Sequence, residues 1–111
     1  MPENNKPILI YSTFPSKADA VRLGNLLVER ALAACVNILP GMTSIYMWEG
    51  SLECGDEVVM LIKTVAGHKD AVFEAVQQLH AFANPALLVL PIEGGSPEFL
   101  DWIKSQTAAS A

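Results

Sequence analysis

The stretch Cys35-Val-Asn-Ile-Leu-Pro-Gly-Met-Thr-Ser-Ile-Tyr-Met-Trp-Glu-Gly-Ser-Leu-Glu-Cys-Gly-Asp-Glu-Val-Val-Met-Leu-Ile-Lys-Thr-Val65 decides the fold. Strand-type residues run from Cys35 to Leu39, Pro40-Gly41 interrupts them, and the pattern resumes from Met42 to Glu49. Glu49-Gly50-Ser51 turns the chain, and the return leg runs from Leu52 to about Val65. Two such strands joined by so short a turn make a hairpin longer than a small sheet needs. Its tip is expected to project beyond the sheet.

Outward from the hairpin, the elements fall into a recognisable order. Pro7 to Phe14 is rich in β-branched and aromatic residues and stops at Pro15, which predicts a first strand. Ser16 then offers a side-chain acceptor for the free N–H groups of a helix, and Ala20, Leu23, Leu27, Ala31 and Ala34 recur at helical spacing. Beyond the hairpin, His68 to His80 reads as a second amphipathic helix with Val72, Val76 and Leu79 on its inner stripe. Leu87 to Ile92 reads as a fourth strand. Ser96-Pro97-Glu98 opens a third helix expected to end near Ser105. This order predicts an α+β domain with a ferredoxin-like βαββαβ antiparallel sheet, both main helices on one face, an extended β2-β3 hairpin and an extra C-terminal helix. The domain is expected to span residues 7–105, between flexible tails at 1–6 and 106–111.

With 111 residues, one domain is the only comfortable count. Yet 51% of them are hydrophobic and only 17% charged, against a typical ~25%. Val58 to Ile62, Ile8 to Ile10 and Leu87 to Leu90 are apolar at both parities, the pattern of strands covered on both faces. Nothing in the chain looks large enough to cover the second face, so a copy of the chain itself is the expected cover. No apolar run approaches the ~18 to 20 residues of a membrane span.

Seven Lys and Arg against twelve Asp and Glu give a net charge of −5, which lacks the basic stripe that nucleic-acid binding needs. Neither nucleic acid nor membrane is an expected partner. Met1 to Lys6 contains no apolar export segment, and the two cysteines are too few for a disulfide framework, so the cytoplasm is the expected location.

No phosphate-binding glycine loop, Cys-x-x-Cys pair or His-Glu-x-x-His motif is present. Cys35, among small apolar residues, is either a compact hydrophobe or a soft metal ligand. Cys54 lies beside Glu53 and Asp56, a setting that argues against a nucleophile. His80, closing the second helix, can serve as a ligand, a cap or part of a pocket. Glu49, Glu53, Asp56 and Glu57 crowd the hairpin, either as a solvated face or as a loose site for divalent cations. Glu57 and Lys63 share a parity with Val59 and Leu61. They either contribute to a pocket at a subunit boundary or end their strand in water. Tyr46 and Trp48, also matched in parity, are amphipathic groups suited to an interface.

Ala34-Cys-Val-Asn-Ile38, Pro40-Gly41, Ser44, Tyr46, Trp48, Gly50, Glu57, Lys63-Thr64, His80, Pro85, Pro91 and Trp102 together resemble the signature of the CutA family of divalent-cation tolerance proteins. The resemblance covers about Ile8 to Lys104. It implies a homotrimer, related in architecture to PII signalling proteins, with a role in tolerance or response to copper and other divalent metals. Cys35 and His80 lie at the positions that it marks for metal. The family continues from the helix-ending histidine as His-Pro-Tyr-Glu-x-Pro-Glu, whereas this chain reads His80-Ala-Phe-Ala-Asn-Pro-Ala86, without the hydroxyl or the two carboxylates. Ser12 stands where some members carry a cysteine.

The expected protein is therefore a homotrimer without catalytic machinery that binds or senses a metal ion or small ligand at a subunit-boundary site. The candidate pocket residues are Tyr46, Trp48, Glu57, Lys63 and His80, and the candidate metal ligands are His80 and Cys35. No cofactor is required, and contact with copper or another divalent cation is expected to be weak. The alternatives are a PII-like signalling trimer and an enzyme with an intersubunit active site built on Lys63, Glu57 and His80.

Overall fold

A computed structural model describes residues 4–108, which form four strands and three α-helices. In chain order they are β1 (Pro7–Phe14), α1 (Lys17–Glu29), β2 (Cys35–Trp48), β3 (Ser51–Val65), α2 (Lys69–Leu79), β4 (Leu88–Pro91) and α3 (Pro97–Ala108), with a 3-10 turn at Ala66–His68 before α2. The sheet order is β2-β3-β1-β4, and every neighbouring pair is antiparallel. This is the ferredoxin-like arrangement expected from the element order.

Trp48 pairs with Ser51, so Glu49 and Gly50 alone make the hairpin turn, at φ 50 and 83. Both angles positive is what a two-residue turn needs to match the twist of its strands. Pro40-Gly41 does not end the strand. The register shifts between Leu39 and Met42, and β2 continues through the bulge as one element. The molecule is 46 Å long, about the length of the fourteen residues of β2 when extended. Its radius of gyration is 14.7 Å, against about 13 Å for a compact chain of this size.

Ser16 caps α1 by accepting the Asp19 N–H at 3.2 Å. The helix stops sooner than its apolar stripe suggests. Ala31 takes a left-handed φ of 56, its N–H donates to the Val28 carbonyl at 3.0 Å, and the Leu32 N–H donates to Leu27 at 2.9 Å. These two bonds form a Schellman motif with alanine where glycine is usual, so Ala31 and Ala34 lie outside the helix. Gly24 lets α1 press onto β2, since a Cβ there would stand 2.8 Å from Val36 Cγ2. In α2, Val72 and Val76 are buried as expected, but Leu79 is 58% exposed in the single chain.

Alternate residues of the central strands, Ile8, Ile10 and Phe14 with Val58, Met60 and Ile62, pack under α1 and α2 as the main core. The opposite face is not left wholly to a partner. At its Val65 end, α3 buries Ile103 against Ala34 and Val65 with Leu100 alongside, forming a second small core. His68 Nε2 donates to the Thr107 carbonyl at 2.9 Å and ties down the end of α3. The helix continues past Ser105 to Ala108, so residues 106–108 are ordered structure. The Asn4 carbonyl accepts the Gly67 N–H at 2.9 Å and the Lys6 carbonyl accepts the Ala66 N–H at 2.8 Å, so this part of the expected N-terminal tail is held too. The remaining tail positions, 1–3 and 109–111, lie outside the described residues.

Candidate functional site

β1 pairs with β4 only from Ile8 to Tyr11, so past Tyr11 it has no strand on that side. The chain leaving α2 takes over. His80 Nε2 donates to the Thr13 carbonyl at 2.6 Å, and the Phe82 N–H donates to Nδ1 at 3.0 Å. A carbonyl can only accept and an amide N–H can only donate, so this pattern selects the neutral tautomer with its proton on Nε2. The ring stacks on Phe14 with centroids 4.5 Å apart and meets Phe82 at 5.0 Å. His80 thus acts as a pin that fixes the loop 81–86 against the end of β1.

That loop forms one wall of a groove. The other wall is the hairpin face carrying Tyr46, Trp48, Glu53 and Glu57, and Thr13 lies between them. The cross-strand register places Tyr46 opposite Glu53 and Met42 opposite Glu57, so these side chains share the sheet face turned away from α1 and α2. The groove encloses about 810 Å³, within the range of small-molecule sites. Ala81, Phe82, Ala83 and Ala86, the four positions at which the loop departs from the pattern quoted above, all line it.

Three of the five expected pocket residues, Tyr46, Trp48 and Glu57, therefore meet in one groove. Lys63 does not join them. It lies six residues along the strand from Glu57, roughly 20 Å away, with its Nζ 5.2 Å from the centroid of the Phe99 ring on α3. His80 shapes the wall without lining the groove. Sequence reasoning did not assign Thr13, Glu53 or the loop 81–86 to the pocket. Glu53 was within reach of the parity argument, but the loop was not, because its path depends on the imidazole pin.

The expected metal ligands also separate. Cys35 is level with Leu9 of β1 through Lys63, whereas His80 is bonded at Thr13, about 13 Å further along the strand. Both imidazole nitrogens already have partners within the chain. Among the described residues, no group of three His, Cys, Asp or Glu side chains is placed to hold a metal ion. Cys35 and Cys54 are both free thiols, and Cys54 is exposed.

A four-stranded sheet backed by two helices on one face, with an overlong hairpin reaching past it to wall a groove, defines a ferredoxin-like α+β subunit. Comparison with known proteins narrows this class. The family described as CutA1 divalent ion tolerance protein matches residues 8–106. A divalent-cation tolerance protein CutA of Pectobacterium atrosepticum is 46% identical over 88% of this chain and 89% of its own length. Rice protein CutA 1, chloroplastic, is 40% identical over 93% of this chain, which spans only 58% of that relative. The structure of the periplasmic divalent cation tolerance protein CutA from Archaeoglobus fulgidus superimposes with a TM-score of 0.88 at 40% identity, covering 91% of this chain and 98% of that one. The chain belongs to the CutA1 divalent ion tolerance family.

Proposed function

We propose that three copies of this chain assemble through their sheets and hairpins, and that the groove beside each hairpin becomes a ligand site at a subunit boundary. The observation that carries this reading is the apolar surface one copy leaves in water. Leu39 is 54% exposed and Leu88 60% on the face away from α1 and α2, while Ile45 at 68% and Leu52 at 71% lie on the other face of the hairpin from Tyr46 and Glu53. Exposed apolar side chains in this number, on the sheet and on both faces of its hairpin, mark an interaction site on a small domain. The groove opens beside it, so an assembly formed there closes the groove as well.

In this reading the protein contributes to divalent-cation tolerance by binding or sensing a metal ion or small ligand, not by catalysis. Among the groove residues, whose reactive groups are carboxylates, Thr13 and the Tyr46 hydroxyl, no hydroxyl is hydrogen-bonded to a carboxylate that could act as its base. Glu53 and Glu57 offer oxygen ligands, which suit weak contact with a divalent cation. Copper contact through His80 or Cys35 belongs to the same proposal, with the ligands supplied by different copies. Cytoplasmic placement does too, and two free thiols, one of them exposed, fit a reducing compartment. No helix among the described residues is long and apolar enough to cross a membrane. Sedimentation equilibrium tests the assembly: three times the chain mass is expected at micromolar concentration, and a stable folded monomer would refute it.

A further inference from the structure

We propose that the groove takes a linear aliphatic diammonium or polyammonium ion, a hydrocarbon chain with protonated amines toward its ends. This inference rests on the reading of the groove as a ligand site and names what fills it. The sign of the ligand follows from the lining. Among the described residues, Glu53 and Glu57 are the only ionic groups there, and no lysine, arginine or histidine lines the groove. Neither carboxylate has an ion-pair or hydrogen-bond partner among the described residues. Glu57 is half-buried, so its charge is partly withdrawn from water with nothing yet to balance it.

Spacing decides between a metal ion and an extended organic cation. Glu53 and Glu57 lie four residues apart on one face of β3, which separates their backbones by about 13 Å. A divalent metal draws its oxygen ligands to about 2.0 to 2.6 Å, so two carboxylates must converge on one point to share it. These two are spread along the groove. Two ammonium groups at the ends of an eight-carbon chain stand roughly 11 Å apart and can engage both. Between and beyond the carboxylates, Tyr46, Trp48 and Phe82 offer ring faces, which attract ammonium groups and bury methylenes. Alanines at 83 and 86 put only methyl groups on the opposite wall, which suits a hydrocarbon chain.

The test is calorimetric titration of the assembled, full-length protein with 1,8-diaminooctane, spermidine, octylamine, magnesium and copper(II). Trp48 fluorescence in a Trp102→Phe background locates binding, since the chain has two tryptophans. The diamine is expected to bind at least about tenfold more tightly than octylamine and to weaken as salt is raised. Glu53→Gln and Glu57→Gln should each cost about tenfold, and Trp48→Ala about fivefold. Equal affinity for octylamine and the diamine, or full affinity in both glutamine variants, would overturn the proposal. If copper(II) or magnesium perturbs Trp48 in a Glu57-dependent way and the diamines do not, the ligand class is wrong while the ligand site stands. If no probe perturbs Trp48, both fall.

Discussion

Replacing His80 by alanine should loosen one wall of the groove before it harms the rest of the fold. The Thr13 carbonyl belongs to a buried residue on a strand that has no neighbour on that side, so losing the imidazole N–H leaves it without a partner, at about 1 to 3 kcal/mol. The Phe82 N–H is exposed and water replaces its acceptor, at about 0 to 1 kcal/mol. Loss of the ring stacked on Phe14 adds about 0.5 to 1.5 kcal/mol. The expected destabilisation is therefore about 1.5 to 5.5 kcal/mol. Urea denaturation should be compared at one fixed protein concentration, because self-association would shift the midpoint. Hydrogen exchange should show faster exchange at Phe82 and through residues 81–86, with Ile10 and Ile62 protected as before. His80→Gln, which keeps a donor but not the ring, should recover part of the loss. A stability within about 0.5 kcal/mol of wild type, with unchanged protection at Phe82, would refute the pin.

Met60→Lys and Ile62→Lys each bury an unpaired charge where the side chain is 0% exposed beneath the helices, and each should cost about 4 kcal/mol or more; a cooperative melt at the wild-type temperature would contradict this. Ala31→Gly should stabilise the chain by about 0.5 to 1 kcal/mol, because φ 56 is strained for alanine, and a lower denaturation midpoint would show that another contact holds that turn. Copper(II) added to reduced, tag-free protein should bind with micromolar affinity or weaker, roughly 8 kcal/mol or less, because any claim on His80 must displace a hydrogen bond to Thr13 or Phe82. Nanomolar affinity by calorimetry that survives His80→Ala would show that the thiols or the acidic hairpin, not the imidazole, hold the metal.

The hairpin was legible because its signals are local. Glu49-Gly50 between two strand-like runs names its own turn, and parity groups Tyr46 with Trp48, although only the cross-strand register puts Glu53 and Glu57 on the same face. Parity reports a face and not a distance, which is why Lys63 shared the face of Glu57 and still lies far from it. The end of α1 was hidden for a different reason. Alanine is a strong helix former, and the apolar stripe runs on through Ala31 and Ala34, so the stop shows only in the left-handed Ala31 and in the hydrogen bonds that Leu32 and Ala31 donate to the Leu27 and Val28 carbonyls. The position of α3 was equally unreadable. Its inner residues would have fitted either face of the sheet, and the choice depends on tertiary contacts of Ile103 with Ala34 and Val65 and on the His68 tie.

The groove divides its construction between parts with different duties. Its hairpin wall is made of strand residues whose register is set by long antiparallel pairing, so Tyr46, Trp48, Glu53 and Glu57 are placed by the fold itself. Its loop wall contributes nothing to either core and is exposed at Ala81 to Asn84, held chiefly through one imidazole. Side chains on such a loop can change with little cost to stability as long as the pin remains, because surface positions away from buried contacts shift stability by only about 0.5 kcal/mol. Four departures from the pattern that the sequence resembles fall on that wall, at Ala81, Phe82, Ala83 and Ala86, while His80 matches it. They place an apolar surface opposite the acidic one of Glu53 and Glu57. A groove altered in this way favours a cation with a hydrocarbon body over a bare metal ion, with the fold that presents it left intact.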